Sequence, residues 1–167
     1  MRTRLENAAG LLCKGLLPIK HDYYMGAGKA VAVCTLSSID LLQTIGKSDL
    51  ISRILIAGRL LSENKGIEAI ISFAGKHPDL KRIIVCGKEV KGHRAGQALL
   101  ALANNGIDSS GRIIGAKGPH PIVTLTFRDV DIFRRQVEFI DMIGSNLSNF
   151  PLLLQKISNY CNLEERA

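Results

Sequence analysis

Short runs of apolar, often β-branched residues alternate along the chain with stretches in which apolar residues recur every three or four positions. The short runs are typical of buried strands, and the recurring pattern is typical of amphipathic helices. The pattern predicts strands at residues 29–36, 52–58, 81–87, 111–116 and 121–127. It predicts helices at residues 64–78, 94–106, 130–144 and 148–162.

Two of the predicted helices rest on clear apolar stripes. In the first, Ile67, Ile70 and Ala74 share one face, and Pro78 ends the helix. In the helix predicted at 130–144, the stripe is longer. It consists of Ile132, Phe133, Val137, Ile140 and Ile143.

This alternation predicts an α/β fold, a mostly parallel sheet with helices on both faces and the strand at 81–87 inside it. Ligands of such sheets bind beyond the carboxyl ends of the strands. Three glycine-bearing stretches, 57–64, 86–93 and 115–121, follow predicted strands, so we expect them to converge on one edge. The 167 residues fit one domain, with an N-terminal extension at 1–16 and a helical tail at 145–167.

The charge and the aromatic content of the chain indicate which kinds of ligand or partner it can bind. The chain is 46% hydrophobic and 22% charged, with a formal net charge of +7, which favours anionic ligands. It has no tryptophan, three tyrosines and five phenylalanines, too few aromatic rings for stacking on single-stranded nucleic acid. We therefore expect no nucleic-acid partner.

The four cysteines form no CxxC pair, so buried free thiols in a reducing compartment explain them better than disulfides or zinc. Glu6 and Lys14 interrupt any signal-peptide core, and no stretch of about 18 apolar residues predicts a membrane span. These features predict a soluble, cytoplasmic protein.

His93 is the strongest candidate for chemistry. It follows a predicted strand, precedes a predicted helix and has glycines around it at Gly87, Gly92 and Gly96, which leave room for a flat ligand. The segment H-x-x-G matches part of the D-x-H-x-x-G signature of corrinoid proteins, with Lys91 at the aspartate position. Glu89 is the nearest carboxylate that could orient the ring. The alternative is a partly exposed histidine near a helix N-terminus, without a ligand.

Other interpretations of the glycines stay open. The segment GAKGP, with Lys117, could hold an anion through backbone N–H groups and one ammonium group. There is no GxGxxG, no GxxxxGK[ST] and no GxSxG. His120 could line the ligand edge, although a surface position is favoured. His77 is expected at the surface, and His21 either at the surface or facing a partner.

Several segments together resemble a known family. The segments GRLLSENKGIEAII, IIVCGKEVKGHRAGQALLALANNGID and RIIGAKGPHP resemble, in order and spacing, the A subunit of tetrahydromethanopterin S-methyltransferase. The segments LLPIKHDYYMG and FRRQVEFIDMIG resemble the start and the last cytoplasmic helix of that protein.

The resemblance implies a Rossmann-like domain that binds a cobalamin-type corrinoid, with His93 as the cobalt ligand. It implies that cobalt takes a methyl group as Co(I) from methyl-tetrahydromethanopterin and passes it from Co(III) to the thiol of coenzyme M, together with donor and acceptor subunits. The expected cofactor-binding residues are Gly58, Ser62, Glu63, Asn64, Gly87, Glu89, Val90, Gly92, His93, Gly96, Gln97, Gly115, Ala116, Lys117, Gly118, Pro119 and Pro121.

The family's membrane-bound form continues into a charged linker and a transmembrane helix, neither of which this sequence contains. We therefore expect a soluble methyl carrier that needs partner subunits for turnover. The remaining alternatives are a Rossmann-like module for a nucleotide or another anion, and a protein whose site no longer binds cofactor.

Overall fold

A five-stranded sheet forms the centre of the computed structural model, which describes residues 23–165. Its strands lie in the order β1-β3-β2-β4-β5; β1 pairs antiparallel with β3, and all other pairs are parallel. The strands are β1 (Tyr23–Met25), β2 (Val31–Cys34), β3 (Ile56–Gly58), β4 (Arg82–Gly87) and β5 (Glu138–Ile143). The helices are α1 (Ile39–Gly46), α2 (Lys65–Lys76), α3 (Ala95–Asn105), α4 (Phe127–Gln136) and α5 (Phe150–Glu165).

Helices cover both faces of the sheet, as predicted for a Rossmann-like fold. Strand β4 shows the two-sided burial most clearly, because Ile83 and Val85 belong to one core and Ile84 and Cys86 to the other. The first core contains the buried residues of α2, α3 and α4, and the second contains those of α1 and α5. The expectation that residues 81–87 form an inner strand is confirmed, since β4 lies between β2 and β5.

The prediction of a helix over 130–144 is wrong in its second half. Helix α4 begins earlier, where Thr126 and Asp129 form a capping box, and it ends at Val137, whose backbone is extended (φ −118°, ψ 124°). The following run, Glu138–Ile143, is β5 and pairs in parallel with β4. The spacing of its apolar residues is compatible with a helix or a strand. It forms a strand because the edge of β4 is available for pairing, and not because of local propensity.

The strands predicted at 111–116 and 121–127 are also wrong. These residues form a loop with two isolated bridges, Ile107 to Ile113 and Arg112 to Ile122. Its apolar residues Ile113 and Val123 are buried in the core, yet the edge beside β4 is already occupied by β5. Of the strand predicted at 52–58, only Ile56–Gly58 forms a strand, β3. The sequence pattern did not predict β1 or α1.

The buried-thiol prediction is confirmed for Cys34 and Cys86, which are free and buried, and Cys161 is buried as well. Burial raises the pKa of the Cys34 thiol to about 12. The predictions about Cys13, His21, the N-terminal extension and the absence of a signal peptide lie outside the described residues. Within residues 23–165, no helix combines the length and apolar character needed to cross a bilayer.

Glu68 connects α2 to the 107–126 loop through hydrogen bonds. Its Oε1 accepts hydrogen bonds from the backbone N–H (2.6 Å) and hydroxyl (2.8 Å) of Thr124, and its Oε2 pairs with Lys65. Burial by itself would raise the pKa of Glu68, but the bonds from Thr124 and Lys65 outweigh it and lower the pKa.

Glu68→Gln is therefore expected to destabilise the fold by about 1–3 kcal/mol at pH 7. Because the folded-state pKa is depressed, this stability is present above the unfolded value of roughly 4.3 and is lost as pH falls through the folded pKa. Urea unfolding of both proteins at pH 7 and near pH 4 checks this: the difference should shrink in acid. A difference that does not depend on pH would contradict the role assigned to the carboxylate.

Candidate functional site

Three glycine-bearing loops meet at the carboxyl edge of the sheet, as the sequence predicts. Glu63, in the loop after β3, accepts a hydrogen bond from the backbone N–H of His120 (3.0 Å) and contacts His93, which follows β4. Gly118 lies against the carbonyl oxygen of His93. The loops 57–64, 86–93 and 115–121 thus form one surface around His93.

The His93 ring is held by a buried carboxylate. Its Nδ1 lies 2.8 Å from Oε2 of Glu63, whose side chain is 1% exposed, whereas the His93 side chain is 54% exposed. An ionised carboxylate only accepts hydrogen bonds, so in the neutral ring the proton lies on Nδ1. Nε2 then carries the lone pair, on an imidazole that solvent and ligands can reach, which is the arrangement of a metal-binding histidine.

Electrostatics keep the Glu63 carboxylate charged. Burial favours a higher pKa, but hydrogen bonds from the backbone N–H groups of Glu63 and His120 and from the His93 ring together lower the pKa of Glu63. A charged Glu63 is therefore available at neutral pH to hold the His93 ring in one tautomer and one orientation.

Glu89 does not contact the His93 ring, which corrects the expectation that it orients His93. Its carboxylate accepts hydrogen bonds from the backbone N–H groups of Val90 (2.8 Å), Gly96 (3.0 Å) and Gln97 (2.8 Å). Glu89 therefore caps the N-terminus of α3, where a negative charge is favourable. The orienting role belongs to Glu63, which the sequence places only in the wall of the site.

The turn between β4 and α3 has an unusual backbone. Gly92 adopts φ 88° with nothing near the position of a Cβ, and Arg94, which is not a glycine, adopts φ 51°. Left-handed conformations of this kind cost about 1 kcal/mol or more and cluster at binding sites. The bare backbone of Gly92 leaves the space beside the exposed His93 open to a flat ligand.

Gln97 fastens the 115–121 loop to α3. Its side-chain amide donates to the carbonyl of Gly115 (2.9 Å) and accepts from the backbone N–H of Lys117 (2.8 Å). Gly118 completes the contact, because a Cβ there would lie 2.4 Å from the carbonyl oxygen of His93. Only glycine permits this approach.

Gly118→Ala should therefore displace the 115–121 loop and destabilise the fold by about 1–3 kcal/mol, the usual cost of overpacking. Gly75→Ala is the matched control, since its Cβ meets nothing within 4 Å and it lies at an exposed position of α2. That change should stabilise the fold by about 0.5–1 kcal/mol. Thermal unfolding of both variants gives the comparison; equal behaviour would contradict the packing argument.

The other predicted site residues lie in or under this surface, but several have structural partners. Ser62 and Asn64 accept hydrogen bonds from the backbone N–H groups of Gly66 and Lys65 at the start of α2. Gly87 packs against the carbonyl of Thr35, and Gly96 is buried. The remaining residues line the loops or the core beneath them: Gly58, Val90, Ala116, Pro119 and Pro121.

The edge is positively charged and lacks a closed metal site. Lys88, Lys91, Arg94 and Lys117 are all exposed on its loops. Within the described part of the chain, no three His, Cys, Asp or Glu side chains cluster as ligands of one ion. A single available imidazole suits a metal whose other ligands come from its own cofactor, and the cations suit an anionic one.

The family model for the A subunit of tetrahydromethanopterin S-methyltransferase, MtrA, matches residues 13–164. The A subunit of the "Putative methyltransferase Mtx" of Methanosarcina acetivorans is 37% identical over 131 residues, 77% of this chain and 62% of that protein. The second A subunit of tetrahydromethanopterin S-methyltransferase from Methanothermobacter marburgensis is 40% identical over 125 residues, 73% of this chain and 65% of that protein.

The corresponding A subunit of tetrahydromethanopterin S-methyltransferase from Methanocaldococcus jannaschii is 38% identical over 128 residues, 75% of this chain and 52% of that protein. The chain thus spans about half to two thirds of the length of these curated relatives. The residues that the family model matches include β1 through α4 and the whole edge around His93.

Proposed function

We propose that this chain, which belongs to the family of tetrahydromethanopterin S-methyltransferase A subunits, is a corrinoid-binding methyl carrier in which His93 would bind the cobalt. The observation that carries the proposal is the 2.8 Å contact between the exposed His93 ring and the buried Glu63 carboxylate. Family membership supports a role as one component of a methyltransferase; the corrinoid, the substrates and the partners are part of the proposal.

The residues at the edge fit a corrinoid in three ways. A corrin ring supplies four nitrogens of its own, so one protein imidazole is sufficient, and His93 offers its Nε2. The turn at Gly92 leaves a bare surface for a flat macrocycle. The cations at Lys91, Arg94 and Lys117 favour the negatively charged nucleotide tail of a cobalamin.

The protein's part in the reaction is binding and orientation, whereas the bound corrinoid supplies the cobalt that accepts and releases the methyl group. Glu63 holds the proton on Nδ1 of His93 and so fixes which nitrogen faces the metal. Gln97 and Gly118 keep the 115–121 loop against His93. Glu89 fixes the start of α3 and thereby the turn that presents the ring.

Methyl-tetrahydromethanopterin and coenzyme M are the proposed donor and acceptor, delivered by partner subunits in the cytoplasm. The name of the Methanosarcina acetivorans relative mentions neither compound, so a different donor or acceptor is compatible with the same carrier chemistry. The exposed loops around His93 leave the ring side of the site accessible to such partners.

A visible absorption spectrum tests the proposal. The full chain, incubated with hydroxocobalamin and freed of excess cofactor, should retain a corrinoid spectrum at about one equivalent per chain. The competing function, an anion or nucleotide module, is favoured by the four exposed cations and predicts binding of a nucleotide without visible absorption. A chain that takes up neither would contradict both functions.

A further inference from the structure

A cavity lies beside α2, over the β1–β3 edge of the sheet, and His93 is not among the residues that line it. It has a volume of about 420 Å³, within the range of roughly 300–1,000 Å³ typical of small-molecule sites. Apolar residues of β2, β3 and β4 form its floor: Ala32, Cys34, Ile56 and Ile83. Residues of α2 form its wall: Ala69, Ile70 and Phe73. Tyr23 and Met25 of β1 form the rim and are 57% and 51% exposed.

Arg59 contributes a positive charge to this apolar groove. Arg59 follows β3 and lines the cavity, and its Nε and Nη1 are buried with no hydrogen-bond partner among residues 23–165. A buried donor without an acceptor costs about 1–3 kcal/mol, and more when it is charged. The groove therefore combines a surface that favours an apolar chain with a guanidinium whose charge favours an anionic acceptor.

We propose that this groove binds an unesterified organic anion with one alkyl chain. The alkyl chain would pack on the apolar floor, and the carboxylate, or a similar head group, would bind the Arg59 guanidinium. Arginine binds carboxylates and phosphates through charge-assisted hydrogen bonds, and the Arg59 guanidinium has N–H donors without a described partner. None of the described residues lining the groove belongs to the 115–121 loop, and Glu63 and His93 do not line it either. The groove shares Gly58 and Arg59 with the 57–64 loop, but its other lining residues lie outside the surface around His93, so we expect the two ligands to occupy separate places.

Calorimetric titration of the full chain with decanoate, 1-decanol and decyltrimethylammonium, each below its micelle concentration, tests the head-group claim. Decanoate should bind at one site, about ten- to a hundredfold more tightly than decanol, because a hydrogen bond to a charged group contributes this much. Arg59→Met keeps the apolar stem and should remove the preference. Equal affinities for the anion and the cation, or no saturable binding by the full chain, would overturn the proposal.

Two variants on α2 test the place of binding. Ala69→Phe fills the groove from an exposed position and should weaken decanoate binding at least tenfold. Ser72→Phe, the matched control, is also exposed but faces the cavity between α2 and α4, and should bind as the wild type does. Equal losses in both variants, or unchanged binding in Ala69→Phe, would place the ligand elsewhere and refute the proposal. Corrinoid titration of the same variants should be unchanged, which separates this result from the proposed function.

Discussion

His93→Ala is expected to change the visible spectrum of the bound Co(III) corrinoid and to weaken its affinity without abolishing it. The spectrum should change because water or the cofactor's own base replaces the imidazole. Loss of a group that only orients a ligand typically costs about 10–100-fold, so loss of the ligand itself should cost at least about tenfold. The proposed contacts of the corrinoid with Gly92 and the 115–121 loop would remain, so binding should persist. Titration of both proteins with hydroxocobalamin, followed by visible absorption, provides the measurement.

His120→Ala is the matched control for this experiment. His120 is exposed in the same surface, but it contacts Glu63 through its backbone N–H, which alanine retains. Its spectrum and affinity should equal those of the wild type. Identical spectra for wild type and His93→Ala would exclude His93 as the ligand, and a corrinoid bound there would have to keep its own base on cobalt. The free energy of unfolding of His93→Ala should fall by about 1–3 kcal/mol, because the buried Glu63 carboxylate loses one hydrogen-bond donor.

Glu63→Gln should weaken corrinoid binding by about 10–100-fold although the proposal gives Glu63 no contact with the metal. The carboxylate accepts from two donors, His93 Nδ1 and the His120 N–H, whereas a carboxamide presents an N–H₂ group to one of them. The ring then loses its fixed tautomer. ¹⁵N NMR of the His93 imidazole in the cofactor-free protein should show a mixture of tautomers, and hydroxocobalamin titration should show the weaker affinity.

Glu89→Gln distinguishes orientation of the ring from general damage to the site. Its carboxylate caps α3, so the variant should lose about 0.5–2 kcal/mol of stability through a weaker cap. The His93 tautomer should not change. If Glu89→Gln shifted the imidazole signals as much as Glu63→Gln does, the assignment of the orienting role to Glu63 would be wrong.

Much of the edge was predictable because its signals are local. The apolar run of β4, the apolar face of α2 and the glycines after each strand are contained within short windows of sequence. In a parallel sheet, those windows fix where the loops after the strands meet. His93 and the loops 57–64 and 115–121 are therefore expected at one edge from the sequence pattern and the sheet geometry together.

The remaining features depend on contacts that no local window contains. The run Glu138–Ile143 becomes β5 because β4 offers an open edge, and its apolar spacing alone is equally compatible with a helix. The pair His93 and Glu63 is separated by 30 positions. Proximity in sequence favoured Glu89, but the N–H groups at the start of α3 bind that carboxylate instead.

The contact between His93 and Glu63 also has a consequence for assembly. It joins the loops after β4 and β3, and β2 lies between those two strands. The proposed ligand nitrogen of His93 is therefore held in place only after the connection from β2 to β3 through α1 and the connection from β3 to β4 through α2 have both formed. A corrinoid bound as proposed would bind only the native state and would stabilise it by RT ln(1 + [L]/Kd), so partly folded chains would remain without cofactor. In a cell that supplies scarce corrinoid, the cofactor would accumulate on chains that are competent to use it.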